Sequence, residues 1–526
     1  MGTTNARSAT VAVDTKPDLD RLRLVRASAL ADWLRARALL VVAVCAVIAL
    51  SLAGVSNFLA QDGWLALVAG RQVAEHGIPQ HDYFTVMAHG VRWVDQQWLG
   101  QLLMFALVRA GGLQLMTTTV VLVMSVGFAA AAAAARSLGA EDRHVLMVLP
   151  LAAFFFIVTA TTIRTQAFGY PLFVAVLWLL ARDLRRSEKD RRVYLVLPIL
   201  VLWANLHGSV TVGVGLVCLS SLLALAQGVR ERGVAGLRTV RAWILLLLAP
   251  LTLLATPYGT GMIHYYRVTL LNPEFGKLLT EWRPITSDWL LAVPFIVVAV
   301  AGCVVVGVSL RASVRARRPT PLFDVATLVV MAIGTYLAVR NVSWFGLTMV
   351  VLGAPALTRL LGGPAPLRRS TLNLGLALGA IGLTALVLAV VLSRPTSWFT
   401  RTYPAHAVAT LTRLVARDPQ AHIFAEIRYA DWLIWRDPRL FAGRVAYDTS
   451  LELLTGRQLD EIAKLGSRPQ ASSRRLLAGY HIWVLNPANR QQDRRLLHWR
   501  GVRVIMRSSR VLIAINPVSA TSGARS

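Results

Sequence analysis

The side chains of this sequence that could do chemistry are two aspartates, a few arginines, and histidines, all set beside long apolar runs. Asp62 and Asp82 lie in QDGWLALVAGRQVAEHGIPQHDYFTV (Gln61–Val86), with Trp64, Arg71 and His76. Arg164 and Gln166 follow in TTIRTQ, and Trp203, Asn205 and His207 in LWANLHGS. His264, Tyr265, Tyr266 and Arg267 close TPYGTGMIHYYR, Glu281 and Arg283 lie in LLTEWRPI, and Arg340 and Asn341 in VRNVSWF. A carboxylate can act as a general base toward a hydroxyl, and guanidinium forks bind phosphate through paired hydrogen bonds. Arginines gathered with a carboxylate around one cavity would suit an anionic, lipid-linked substrate. Each residue also has a plainer use. Arginines snorkel to headgroups, and Asp62 at the head of a helix could serve only as its cap.

The elements that must position these residues follow from composition. The chain has 526 residues, 55% of them hydrophobic and 16% charged, with a mean hydropathy of +0.55. A soluble domain carries about 25% charged residues, so the repeated apolar runs place this chain among polytopic membrane proteins. The net charge of +28 comes from arginines in the loops between those runs. That pattern fits positive-inside topology and anionic lipid headgroups, not nucleic acid. Cys45, Cys218 and Cys303 all fall inside apolar runs, without a CxxC or Cys/His cluster, so neither a disulfide framework nor a zinc site is indicated.

Eleven apolar runs are expected to span: 38–57, 113–136, 144–161, 166–182, 193–208, 210–228, 242–256, 289–310, 321–339, 342–361 and 371–393. The basic stretches before and between them, including residues 1–37, 182–192, 230–241, 311–318 and 359–369, then share the cytoplasmic side. This puts the N-terminus inside and all the chemistry-bearing connections outside, provided that 98–112 lies along the outer face. The basic N-terminus fits a retained anchor better than a cleaved signal. From 394 to 516 apolar density falls and short strand-like runs (422–427, 481–486, 502–507, 511–516) alternate with helical ones (404–418, 450–465), predicting an extracytoplasmic α/β domain. Residues 517–526 read as a disordered tail. The first outer loop, 57–112, is expected to carry an interfacial helix with Trp64, Leu67, Val68 and Arg71 on one face, ended by Gly77.

Three spaced patterns in that loop resemble a known group. They are Asp62, Trp64, Leu67, Gly70 and Arg71; then Ile78, Pro79, Asp82 and Phe84; then Trp93, Asp95, Trp98, Leu99 and Gln101. Together with Arg164–Gln166, Trp203–Ser209, Thr256–Gly259, Glu281–Trp282 and Arg340–Asn341, they are similar to the outer-face motifs of bacterial GT-C-type membrane glycosyltransferases. IFAEIRYADWLIWR and FAGR near the C-terminus resemble the same group's outer domain. The sequence departs from the group at Gln96 and Gln97, where a histidine and a glutamate are usual, at Asn341, where a histidine is common, and at Ala442, where an aspartate is common.

The resemblance implies an all-α polytopic membrane domain with a C-terminal α/β domain and transfer of a sugar from a polyprenyl phosphate. Asp62 would be the general base, with Asp82 the second candidate. Arg164, Arg340 and Arg267 would bind the donor phosphate, and Trp64, Arg71, Gln166, Asn205, His207, His264, Tyr265 and Glu281 would line the substrate site. The acceptor would be an envelope glycan, lipid or protein; a divalent cation is a candidate cofactor. Two other readings stay open: a lipid or solute transporter, which would need charges or broken helices at mid-membrane, and a catalytically silent lipid-binding or assembly factor.

Overall fold

The computed structural model describes residues 19–516 apart from 56–58, 161, 187–189, 273, 316–321, 363–369, 468–475, 489–495, 498 and 500. The tail expected at 517–526 and parts of the basic stretches lie outside the described residues. In chain order the helices are α1 (Leu19–Ala36), α2 (Ala38–Gly54), α3 (Gln61–His76), α4 (Trp98–Ser137), α5 (Asp142–Ala160), α6 (Gly169–Arg185), α7 (Val196–Leu206), α8 (Val210–Arg232), α9 (Val240–Leu251), α10 (Gly261–Leu270), α11 (Phe275–Leu278), α12 (Trp289–Arg315), α13 (Leu322–Leu337), α14 (Val342–Thr348), α15 (Ala354–Leu361) and α16 (Thr371–Leu392). A π-helical turn, Met349–Gly353, joins α14 to α15. Each of the eleven expected runs is thus helical. Among the described residues six helices can cross a membrane by length and composition, or seven if α1 and α2, bent by 84°, form one broken span. Helices α7, α9 and α13 have 11, 12 and 16 residues, so at about 1.5 Å per residue each falls short of a ~30 Å hydrocarbon core.

Segment 98–112 forms the first part of α4, which breaks at Gly111 and Gly112. Gly112 has φ +69°, a left-handed conformation that glycine adopts without a Cβ clash. The break separates a stretch packed against the first outer loop from the long apolar stretch 113–137. Glycines also set how closely these elements approach. A Cβ on Gly70 would lie 2.2 Å from the Gln101 carbonyl oxygen, and one on Gly100 would lie 2.7 Å from that of Leu206.

The C-terminal part contains α17 (Thr396–Phe399), α18 (Ala405–Arg417), β1 (Ile423–Ala425), α19 (Ile427–Arg436), α20 (Pro438–Phe441), α21 (Gly456–Ser467), β2 (Ile482–Leu485), β3 (Arg503–Arg507) and β4 (Leu512–Ile515). The four strands fall on the four expected runs, in the order β1-β2-β4-β3, with β1 parallel to β2 and the other pairs antiparallel. Side chains alternate across this sheet as the pleat requires. Ile423, Ala425, Val484 and Ile513 join the core of the bundle. On the other face Phe424, Trp483, Leu485 and Leu512 pack with Ala88 and Phe275 from the outer connections.

The first outer loop is part of this layer. Thr85 bridges Val445, which in turn bridges Ile423, and the Val86 and Met87 amides donate to the Val445 and Ala446 carbonyls at 2.8 and 2.9 Å. Helix α3 was expected to lie in the membrane interface; instead residues 63–70 are all buried. It is clamped between α4 and α19, because the C-terminal domain covers the face that would have met headgroups. Trp64 meets the Tyr403 ring edge-on at 5.3 Å. The loop and the C-terminal domain therefore share one end of the bundle. At the far end, where α4 stops, Arg136 pairs with Asp142 and Arg241 with Asp183. Asp324 there accepts Arg185 at 2.6 Å and Arg359 at 3.4 Å.

Candidate active site

The connections at the end that carries the C-terminal domain converge on a cavity of about 240 Å³. Asp62 reaches it from the first turn of α3, with 37% of its side-chain surface open. It does not cap that helix, since the N-cap is Ala60 and no side chain caps there. Asp62 Oδ2 lies 3.0 Å from Arg164 Nε. The two terminal nitrogens of Arg164 donate to Glu281 at 2.8 and 2.9 Å, a bidentate pair. Both edges of this guanidinium therefore face carboxylates. Removal from bulk water pushes the Asp62 carboxyl above its usual range; the Arg164 charge opposes this and Glu281 adds to it. For Glu281 burial also pulls upward, but Arg164 outweighs it and the net direction is down. The same neighbours more than offset burial at Arg164, which stays firmly protonated.

Arg340 sits on a short helical turn just before α14, with its guanidinium 4.3 Å from the Trp282 ring centroid. Among the described residues it makes no ion pair within 4.0 Å. His207 ends α7, and its Nδ1 accepts the Ser209 backbone N–H at 3.0 Å. Burial, then the charges of Arg340 and Arg164, push His207 down to about 3. At neutral pH it is an uncharged imidazole whose Nε2–H can donate.

Arg164, Gln166, Glu281 and Arg340 also wall a second cavity of about 460 Å³, closed by Asp288, Trp289, Leu291 and Ser343. One helical turn further along α12 and α14 begins an apolar groove of about 400 Å³ lined by Met147, Leu151, Val293, Val297, Gly346 and Met349. Val293 and Val297 are 57% and 62% exposed on its rim. The charged cluster therefore lines two polar cavities, and the apolar groove begins one helical turn beyond the second.

Of the residues singled out in the sequence, Asp62, Arg164, Gln166, His207, Tyr265, Glu281 and Arg340 line the first cavity. Trp64, Arg71, Asp82, Asn205, His264 and Arg267 do not line it. Arg71 donates to the Trp435 carbonyl at 3.1 Å and stacks 4.0 Å from that ring. Asp82 is buried and accepts from Phe84 N, Thr85 N and Thr85 Oγ1 at 3.0, 3.2 and 2.6 Å, closing a turn. Asn205 accepts from Trp98 Nε1 at 2.9 Å and donates to the Val201 and Ala255 carbonyls. His264 and Arg267 are exposed on α10.

The cavity also holds Gln101, Thr449 and Glu452, which sequence reasoning did not select. Gln101 stood in the loop motif without a role. Thr449 and Glu452 come from the C-terminal domain, and nothing local in their sequence points to a partner hundreds of residues upstream. Burial, with Asp95, Asp62 and Asp82 nearby, pushes Glu452 up to about 7. Among the described residues, no group of three or more His, Cys, Asp or Glu is placed to hold a metal ion.

No protein-family model matches the chain, and no curated protein matches it. Among solved structures it is similar to ArnT from Cupriavidus metallidurans bound to undecaprenyl phosphate, at 15% identity, covering 92% of this chain and 98% of that one, with a TM-score of 0.49. It is also similar to the Archaeoglobus fulgidus oligosaccharyltransferase in its apo form, at 12% identity over 84% of this chain and 69% of that one, TM-score 0.46. Both are GT-C-type glycosyltransferases. At this level the likeness concerns the arrangement of the chain alone.

Proposed function

We propose that the protein is a membrane glycosyltransferase that moves a sugar from a polyprenyl-phosphate donor to a cell-envelope acceptor, with Asp62 as general base. The observation that carries this reading is the charged cluster itself. Arg164 holds Asp62 at 3.0 Å and Glu281 at 2.8 Å, beside Arg340, which makes no ion pair among the described residues, and an apolar groove lies one helical turn beyond the polar cavity they wall. That sequence of surfaces matches an amphiphile with an isoprenoid tail and an anionic head. The sequence resemblance to GT-C-type enzymes points the same way.

In the reaction, Asp62 takes the proton of an acceptor hydroxyl as its oxygen attacks the anomeric carbon. The bond from that carbon to the phosphate oxygen breaks, and the polyprenyl phosphate leaves with the electron pair, inverting the centre. Negative charge grows on the leaving phosphate, and a guanidinium placed beforehand to meet it lowers the barrier. Arg340 is the better phosphate ligand of the two cluster arginines, because Arg164 is engaged by carboxylates on both edges. Arg164 is then a positioning residue. His207, uncharged, supplies a hydrogen-bond donor and no competing base. The arginine-rich loops at the opposite end of the bundle favour placing the cavity on the extracytoplasmic side.

The test is sugar transfer by the full chain in nanodiscs, from synthetic polyprenyl-phosphate sugars to envelope-derived acceptors. Asp62→Asn is expected to lower turnover by about 10²–10⁴ while leaving binding of polyprenyl phosphate intact. Arg340→Gln is expected to weaken that binding. Full turnover in Asp62→Asn would remove the catalytic assignment; lipid binding without any turnover by the native chain would identify a silent lipid-binding protein instead.

A further inference from the structure

The first cavity is also lined by hydrogen-bond acceptors that have no partner among the described residues. Gln96 and Gln101 are each 1% exposed. Gln96 Nε2 donates to the Ala204 carbonyl at 2.8 Å. A carbonyl only accepts, so this contact fixes the amide's orientation and turns Oε1 the other way. Gln101 donates to the Asp95 carboxylate, which likewise leaves its Oε1 as the spare atom. Among the described residues neither Oε1 has a hydrogen-bond partner. Both residues line the cavity, as does Glu452, which enters from the C-terminal domain with no ion pair among the described residues.

A buried carbonyl that lines a cavity is an acceptor that a donor-rich ligand can use. Gly208 leaves space beside one of the two. A Cβ at that position would stand 3.1 Å from Gln96 Oε1 and 3.7 Å from the Tyr265 hydroxyl, in the space a ligand group must use.

We propose that Gln96, Gln101 and Glu452 form the wall that reads the hydroxyl groups of the sugar, and so set which sugar this enzyme takes. The inference rests on the glycosyltransferase reading above and adds its specificity side. The cavity carries both kinds of group: guanidinium donors that meet the phosphate, and carbonyl and carboxylate acceptors that meet sugar hydroxyls as donors. An amide pair in this role discriminates by hydroxyl position, because an epimer or deoxy sugar that fails to donate leaves a buried carbonyl unsatisfied. Gln96 and Gln101 are specificity residues, and no bond to the reacting atoms is assigned to them.

The experiment compares binding of bare short-chain polyprenyl phosphate with binding of the same lipid carrying a hexose or a pentose, using the full chain in nanodiscs. The native chain is expected to bind at least one sugar-bearing lipid tenfold or more tightly than the bare one. Gln101→Met and Glu452→Met are expected to erase most of that gain without changing affinity for bare polyprenyl phosphate, which also reports that the fold is intact. As a measurement free of variants, deoxy analogues of the preferred sugar are expected to lose about tenfold at the hydroxyls facing Gln96 and Gln101. A sugar gain that survives both variants and every deoxy analogue overturns this inference alone. A native chain that gains nothing from any sugar overturns it together with the donor assignment.

Discussion

Arg164 Nε lies 3.0 Å from Asp62 Oδ2, while the other edge of the same guanidinium is taken by Glu281. One arginine, in a connection of a few residues between two apolar helices, therefore spaces two carboxylates that would otherwise repel each other. It leaves Asp62 open to the cavity and holds its pKa below what burial alone would give.

This arrangement has a pH signature. Asp62 must be deprotonated to act as a base, so activity falls as pH drops through its pKa. Arg164 pulls that pKa down, whereas burial and Glu281 push it up. Arg164→Gln is thus expected to move the acid limb of the kcat/KM profile to higher pH. An acid limb that stays in place would locate the essential base elsewhere.

A second expectation concerns the joint between the two outer pieces. Arg71 on α3 donates to the Trp435 carbonyl and stacks on its ring at 4.0 Å. A charged hydrogen bond and a cation–π contact together make this joint worth about 2 kcal/mol. Arg71→Ala should raise hydrogen exchange in α3 and α19 and reduce turnover, because Glu452 and Thr449 reach the cavity only when the joint is closed. Arg71→Lys should not restore it, since an ammonium lacks the planar face that stacks. Native-like exchange in Arg71→Ala would show that the strand pairing at Val445 holds the joint unaided.

The C-terminal domain should also be more stable in mild acid than in base. Burial, then the nearby Asp82, pushes the Asp448 carboxyl up to about 8. A carboxyl raised in this way holds its proton more tightly folded than unfolded. Its contribution is therefore full below about pH 4, the ordinary carboxyl range, and is lost as pH climbs to about 8. Asp448→Asn keeps an oxygen for the Ser450 amide, which donates to Asp448 Oδ1 at 2.8 Å. This variant should flatten the slope of thermal stability between pH 5 and 9 and raise the midpoint at pH 8 by a few degrees. Parallel native and variant curves would contradict it.

Much of the frame was legible beforehand. The run at 371–393 became α16 (Thr371–Leu392), and the strand-like runs at 481–486 and 511–516 became β2 and β4. Gly77, with φ +83°, ends α3 where the pattern placed a stop. Length, apolar content and period are local properties, and they decide helix or strand before any partner is met. The short connections also showed which polar residues would gather at one end, and Asp62, Arg164, Glu281 and Arg340 did gather there.

The sequence by itself determined a polytopic helical bundle, the α/β character of its C-terminal part and the end at which the chemistry collects. Tertiary structure decided which of those residues touch. Arg164 meets a glutamate 117 positions away, and Arg71 a tryptophan 364 positions away. It turned Arg71, Asp82 and Asn205 into fastenings, made α3 a buried helix, and brought Glu452 to the cavity beside Gln101. The physical reason is that a charged or polar side chain carries no periodic mark of its partner. Whether it holds a substrate or holds the fold depends on what packing places within 3 or 4 Å of it.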